Sequence, residues 1–380
     1  MFSALRKSRI PAGLAVLALV ATACGSSTAT PAPTTAPTMA PTAATTTAAT
    51  TAPTTAASVA PSVNGTGFKI AFVVSGNLGD KGFFDSAQEG ITQADTNFGT
   101  TSKTLQASPT DPAQWLQNLQ AVSDAGYNVV IAGSTQQHDN ITTAAKAHPN
   151  QHYVFFDDEV DLPNIFNIEY KQNEGSYVAG VLAGIVTTDT KDFPKSAGNK
   201  KVGLVGGMDI PVINDFVVGF KAGVAAIDPS IQVLVSYIGN FTDANKAYNL
   251  TQAMYQQGAD IVFAVAGGAG LGVLKASNDS DTYSIGVDSN QNDLYPGHVI
   301  ASMLKQVGNT LYAAIQEAIQ GNAPWGTTLH AGIKEQAVGL VLDTKTIPQS
   351  VQDQINSVVQ KVVDGSVTVP SAFAAATPSA

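Results

Sequence analysis

The sequence predicts an α/β fold of two doubly wound lobes, built in succession, with the chain then returning as in a two-domain clamp. Three observations carry that expectation. Short, continuously apolar runs alternate with helical patterns between residues 68 and 158, and the alternation resumes between 175 and 288. The stretch 68–369, about 300 residues, is long enough for two separate cores.

In the first half, 68–74 reads as a buried strand, 84–98 and 112–125 as helices, 129–132 as a strand, 140–147 as a helix and 153–156 as a strand. Unbroken apolar strands spaced by helices argue for a parallel sheet covered on both faces. In the second half, "GSYVAGVLAGIVT" (175–187) is a helix rich in small residues and "KVGLVGG" (201–207) a strand. A helix over 214–227, a strand over 231–238, a helix over 244–258, and strands over 259–268 and 283–288 follow. The segment 299–321, read as helical, carries the chain back.

In open α/β sheets ligands sit beyond the carboxyl ends of the strands. The candidate segments are therefore 75–84, 133–139, 157–159, 206–210, 266–272 and 288–291. They supply amides, carboxylates and aromatic rings, but no nucleophile beside a base. His138, His148, His152, His298 and His330 fall at no metal-ligand spacing, and there is one cysteine, so no metal is expected. "GGAGLG" (267–272) puts Val273 where a dinucleotide fingerprint needs its third glycine. Gly267 and Gly268 still offer backbone N–H groups to a ligand oxygen, and a tight turn with close helix packing is the equal alternative. No phosphate-binding loop and no G-x-S-x-G elbow occurs.

The ends of the chain speak of location. Arg6, Lys7 and Arg9 precede an apolar run from residue 12 to 23, and Cys24 follows three small residues. This is an export signal ending at a lipidation site, with an ordinary secretory signal and a chance cysteine as the alternative. Cys24, the only cysteine, can form no internal disulfide. Residues 25–66 are almost entirely Ala, Thr, Pro and Ser without a charge, a composition that cannot offset its ordering entropy. Removing the leader's three positive charges takes the formal charge from −10 to −13, which disfavours nucleic acid and anionic lipid as partners.

Several blocks together resemble the basic membrane protein family, exported lipoproteins that bind nucleosides for ABC transporters. "GDKGFFDSAQEG" is similar to the family's D-K-S-F-N and A-x-x-G. "NEGSYVAGVLAG", "VGLVGGMDIPVINDFVVGFKAGV", "DIVFAVAGGAGLGVL" and "GVDSNQNDLYPGHVIASMLKQV" match further blocks, in the family's order, from about residue 68 to 343. The resemblance implies a clam-shell of the type I periplasmic-binding-protein kind: two Rossmann-like lobes, three hinge crossovers and one nucleoside in the cleft.

It also implies roles. Phe83 and Phe216 stand where the family's aromatics sandwich the base, and Asp288 and Lys305 where it grips the ribose. The chemistry suits them, since every base presents a π face and an ionised carboxylate can accept both protons of a vicinal diol. A helix cap near a hinge is the alternative for Asp288. Asp139 fits the aspartate that accepts from a purine N–H, with a plain N-cap as its rival. Two departures fall where the family reads the base. "GSTQQH" replaces aromatics before Asp139, and the loop "SGNLGD" leaves Ser75 or Asn77 nearest the base, with Phe84 in place of the Asn of D-K-S-F-N.

The expected organisation is a lipoprotein signal at 1–23, a disordered tether at 24–66, a first lobe of 67–167 plus 289–325, a second lobe of 168–288 plus 326–369, and a disordered tail at 370–380 that packs against nothing. The expected function is non-enzymatic capture of a nucleoside, purine first, for an ABC permease and its ATPase. The protein would be a monomer without cofactor, lipid-anchored through Cys24 on the extracytoplasmic face. The alternatives are another heterocycle or a sugar in the same clamp, a sensor or surface receptor, and an exported α/β enzyme.

Overall fold

The computed structural model describes residues 63–373; the leader, Cys24 and most of the tether lie outside them. Two six-stranded sheets share one strand order. The first contains β1 (Lys69–Val74), β2 (Thr101–Gln106), β3 (Val129–Gly133), β4 (His152–Phe156), β5 (Ile165–Tyr170) and β11 (Thr327–Ala331), arranged β11-β5-β4-β3-β1-β2 and parallel throughout. The second contains β6 (Lys201–Gly206), β7 (Gln232–Tyr237), β8 (Ile261–Val265), β9 (Tyr283–Asp288), β10 (Val299–Lys305) and β12 (Val338–Leu342), arranged β12-β10-β9-β8-β6-β7. Only β12 runs antiparallel to its neighbour. The chain passes between the sheets three times, after Tyr170, after Lys305 and after Ala331.

Two of these passages differ from the expected boundaries. Residues 299–305 pair with β9 in the second sheet, although 289–325 was expected in the first lobe; residues 327–331 pair with β5 in the first, although 326–369 was expected in the second. Segment 299–305 is also a strand rather than the start of a helix. The helix α8 (Val307–Gln320) begins only after Gln306, whose amide is held by Ala337 O.

Helices cover the sheets. In the first lobe these are α1 (Phe83–Phe98), α2 (Pro112–Asp124), α3 (His138–Ala147) and α8. Asp111 caps α2 by accepting from Gln114 N at 3.1 Å, with proline at the first helical position, and α1 ends on left-handed Gly99. In the second lobe they are α4 (Gln172–Thr188), α5 (Pro211–Ile227), α6 (Ala244–Gln256), α7 (Leu271–Asp279) and α9 (Gln349–Val363). Helix α4 is buried along almost its whole length against α5. Glycines permit that approach: a Cβ on Gly180 would stand 2.2 Å from Phe220 O, and one on Gly223 2.0 Å from Tyr177 O.

Both low-complexity ends are anchored where they enter the fold. Gly65, expected in the tether, donates its amide to Phe98 O at 2.7 Å. The tail does not hang free over its first residues: Ser371 Oγ and Ala372 N donate to Asp215 Oδ1 at 2.7 and 2.8 Å, and Asn173 Nδ2 donates to Val369 O and Pro370 O. Asp215 is buried, without a cation among its bonded partners, so its carboxylate needs those neutral donors.

Candidate functional site

The carboxyl ends of the two sheets face a common cavity of about 510 Å³, within the size range of small-molecule sites. From the first lobe its wall is made by residues 75–80 with Phe83 and Phe84, by 109–110, by 134–136 and by Asp157. From the second it is made by Met208 and the start of α5, by 239–242, by 265–268, by 287–288 and by Lys305. Each of these segments follows or ends a strand, as the doubly wound architecture requires.

Charge is concentrated at one place. Asp157 follows β4 and Asp288 ends β9, matched places in the two sheets, and both adopt left-handed backbone (φ 72° and 67°). Few residues other than glycine adopt that conformation, and aspartate is among those that tolerate it. Between the lobes, Lys305 Nζ donates to Asp157 Oδ1 in a direct ion pair, with the lysine side chain 2% exposed. The same ammonium lies 5.5, 5.0 and 5.4 Å from the ring centres of Phe83, Tyr170 and Phe216, within cation–π range.

Burial dominates the acid–base chemistry. It raises the Asp288 carboxyl to about 7, opposed by Lys305 and reinforced by Asp80 and Asp157. Asp157 is raised by burial as well, against the pull of Lys305. The cavity is lined by three carboxylates, Asp80, Asp157 and Asp288, against one ammonium, and no histidine lines it.

The Gly-rich bend before α1 is held by its own acids. Asp80 accepts from the amides of Gly82, Phe84 and Asp85 at 2.8–3.1 Å, and Asp85 accepts from those of Gly79 and Lys81. Its far side touches the second lobe: Gln291 Nε2 donates to Lys81 O at 3.0 Å, and a Cβ on Gly82 would stand 3.2 Å from Asp288 Oδ2. The two lobes are thus closed upon each other at this edge. Inside, Ser75 Oγ is buried without a hydrogen-bond partner among the described residues. Such a group favours a ligand atom that supplies the missing bond.

A family model described as ABC transporter substrate-binding protein PnrA-like matches residues 68–372. The chain belongs to this PnrA-like family. Its relatives include a Listeria monocytogenes protein called CD4+ T-cell-stimulating antigen, 32% identical over 327 residues that cover 80% of this chain and 88% of the relative. The Lactococcus lactis ABC transporter nucleoside-binding protein BmpA is 30% identical over 329 residues, covering 80% and 90%. Among solved structures, an ABC transporter solute-binding protein from Aeropyrum pernix superposes with a TM-score of 0.72 at 22% identity, covering 80% of this chain and 94% of that one. That likeness bears on the fold, which is the periplasmic-binding-protein clam-shell. PnrA-like proteins are substrate-binding components of ABC transporters.

Of the residues expected to serve this PnrA-like protein's site, Ser75, Asn77, Phe83, Phe216, Gly267, Gly268, Asp288 and Lys305 all line the cavity. Asp139 does not. Helix α3 begins at His138, two residues before the expected start, and carries Asp139 onto the exposed outer face; Gln137 occupies the N-cap, so Asp139 is no cap either. Gln136 stands in the cavity wall instead. Asp157, read only as a member of a post-strand segment, proves to be the partner of Lys305, a pairing across 148 residues that no local signal reveals. Phe241 was also missed; its ring packs where a Cβ on Gly207 would stand, 2.3 Å away. Outside the cleft, pairing of β5 with β11 brings His330 Nδ1 to 2.7 Å from Glu169 Oε2, with Glu159 close by.

Proposed function

We propose that this protein captures a nucleoside, with purine nucleosides first, between its two lobes and presents the closed form to an ABC permease and its ATPase. The observation that carries this reading is the buried cluster of Asp288 and Lys305 beside the rings of Phe83 and Phe216. A carboxylate and an ammonium together suit a vicinal diol, while the rings suit a flat base. Ser75, with its free hydroxyl, and the amides of Gly267 and Gly268 would supply further bonds, and Asn77 would stand at the mouth. The name of the lactococcal relative supports the same ligand class.

The ligand can drive closure only through its greater affinity for the closed state, and contacts to both walls at once provide that difference. Replacing Asp288 by Ala is expected to abolish inosine binding in a calorimeter while leaving the far-ultraviolet circular dichroism unchanged. Retained affinity would remove Asp288 from the site.

No helix among the described residues is long and apolar enough to cross a membrane. We assign attachment to lipid on Cys24, which lies outside the described residues, as the export signal and the charge-free tether support. The family's role in transport supports an extracytoplasmic, membrane-held position.

A further inference from the structure

Away from the cleft, the fold gathers a second set of ionisable side chains at one edge of the first sheet. Strands β5 and β11 pair in parallel with His330 opposite Glu169, so both side chains leave the same face, and His330 Nδ1 lies 2.7 Å from Glu169 Oε2. Glu159 reaches the same place from the segment after β4: one ligand atom from each of Glu159, Glu169 and His330 lies within 4.8 Å of the other two. His330 and Glu169 are 161 positions apart, so the spacing of the histidines along the chain shows nothing of this.

Backbone bonds hold these positions. Asp157 N donates to Ile168 O at 2.7 Å, and Asp158 bridges to Ile168. Buried Asn167 clasps Val160, accepting from its amide at 3.0 Å and donating to its carbonyl at 3.1 Å. Glu159 is thereby pinned on both sides beside β5, and a site built on such rigid neighbours needs little reordering to bind. Negative charge is crowded here. Burial raises the Glu169 carboxyl, and the charges of Glu159 and Asp158 raise it further, against the bond to His330. Among the described residues no lysine pairs with these three acids; the ionic partners are His138, 2.9 Å from Asp158, and His330. A neutral imidazole offers them no charge.

One imidazole nitrogen and two carboxylate oxygens make a mixed donor set, which suits zinc better than calcium or magnesium, whose ligands are oxygens. Tetrahedral zinc, with bonds of about 2.0–2.1 Å, needs ligand atoms about 3.3 Å apart, a spacing that turns about the side-chain bonds of the two glutamates can reach. We propose that Glu159, Glu169 and His330 form a zinc-binding site at the edge of the first lobe, with water completing the tetrahedron. The site stands beside two of the three crossovers, since Glu169 and His330 are each followed by the last residue of their strand, Tyr170 and Ala331. None of its three ligands lines the cleft, and it holds whichever solute the cleft takes.

The test uses the full chain with Cys24→Ser, so that no thiol competes, stripped with a chelator and titrated in a calorimeter at neutral pH with zinc chloride and separately with calcium chloride. One equivalent of zinc is expected, together with a rise in Tm, because the site exists only in the folded chain. His330→Ala and Glu159→Gln, both at exposed positions, each weaken zinc binding by about tenfold or more with unchanged circular dichroism. His148→Ala, outside the cluster, leaves it unaltered. X-ray absorption at the zinc edge shows one imidazole among oxygen ligands. Failure to bind an equivalent of zinc, binding that survives both substitutions, or a spectrum without imidazole would overturn the site. Calcium bound more tightly than zinc and indifferent to His330→Ala would overturn it too, leaving an all-oxygen cation cluster in its place.

Discussion

Asp288 carries the sharpest consequence at the scale of single residues. Burial raises its carboxyl from 3.8 to about 7 in the folded protein. The folded state therefore holds this proton more tightly than the unfolded chain, and the group's contribution to ligand-free stability declines as pH climbs from about 4 to 7. In the proposed site ligand binding has the opposite sign, because the ionised carboxylate would accept from the sugar. Inosine affinity is expected to be roughly 30-fold weaker at pH 5.5 than at pH 8, as a single group titrating near 7 dictates. In Asp288→Asn that slope should vanish from calorimetric titrations; an unaltered slope would place the proton elsewhere. The rings give a second consequence. Phe83→Ala and Phe216→Ala are each expected to weaken binding by about 1–3 kcal/mol if they stack on the base, and full affinity in both would make them lining residues only. The rule that ligands lie beyond strand ends made most of these residues legible in the sequence. It did not separate Asp139 from Asp157, since a two-residue change in where α3 starts turns a side chain outward, and an ion pair between lobes leaves no local trace.

Elements followed the same logic of visibility. Strands such as β1, β3, β4 and β8 are buried almost throughout and so read as unbroken apolar runs. Strand β2 lies at a sheet edge, half exposed and polar, and β11 likewise, so neither announces itself. Strand β10 was absorbed into a helix because its apolar run leads into α8 across the single residue Gln306. The small-residue character of α4 was legible; its use, a close crossing with α5, required the partner. Gly223→Ala forces a carbon to within 2.0 Å of Tyr177 O unless the helices part, and overpacking of this kind should cost about 1–3 kcal/mol in denaturant unfolding. Ending the chain at Val369 removes two of the four donors on buried Asp215. That should cost about 1–3 kcal/mol and lower Tm by several degrees, whereas an unchanged Tm would show that Asp215 finds other donors.

Across the whole molecule, two sheets of identical order present matched loops to one cavity, and the chain crosses between them three times. That plan suits a clamp, because short crossovers allow the lobes to rotate while each keeps its own strand pairing. The division into two lobes was legible from the repeated alternation of strand and helix, but the return of β11 to the first sheet was not, since sheet membership is decided by pairing over more than 150 residues. At this scale Cys24→Ser should release the protein from membranes into the soluble fraction, and continued anchoring would undo the lipid assignment. The central claim, a clamp for nucleosides, meets its most direct test in thermal unfolding of the purified chain, refolded to strip carried ligand, against nucleosides, free bases and sugars. A ligand at 100 times its Kd that binds only the folded state adds about 2.7 kcal/mol, enough to raise Tm visibly. The expected result is a rise with inosine, guanosine or adenosine and none with ribose or the free bases. A rise with sugars alone, and none with any nucleoside, would contradict it.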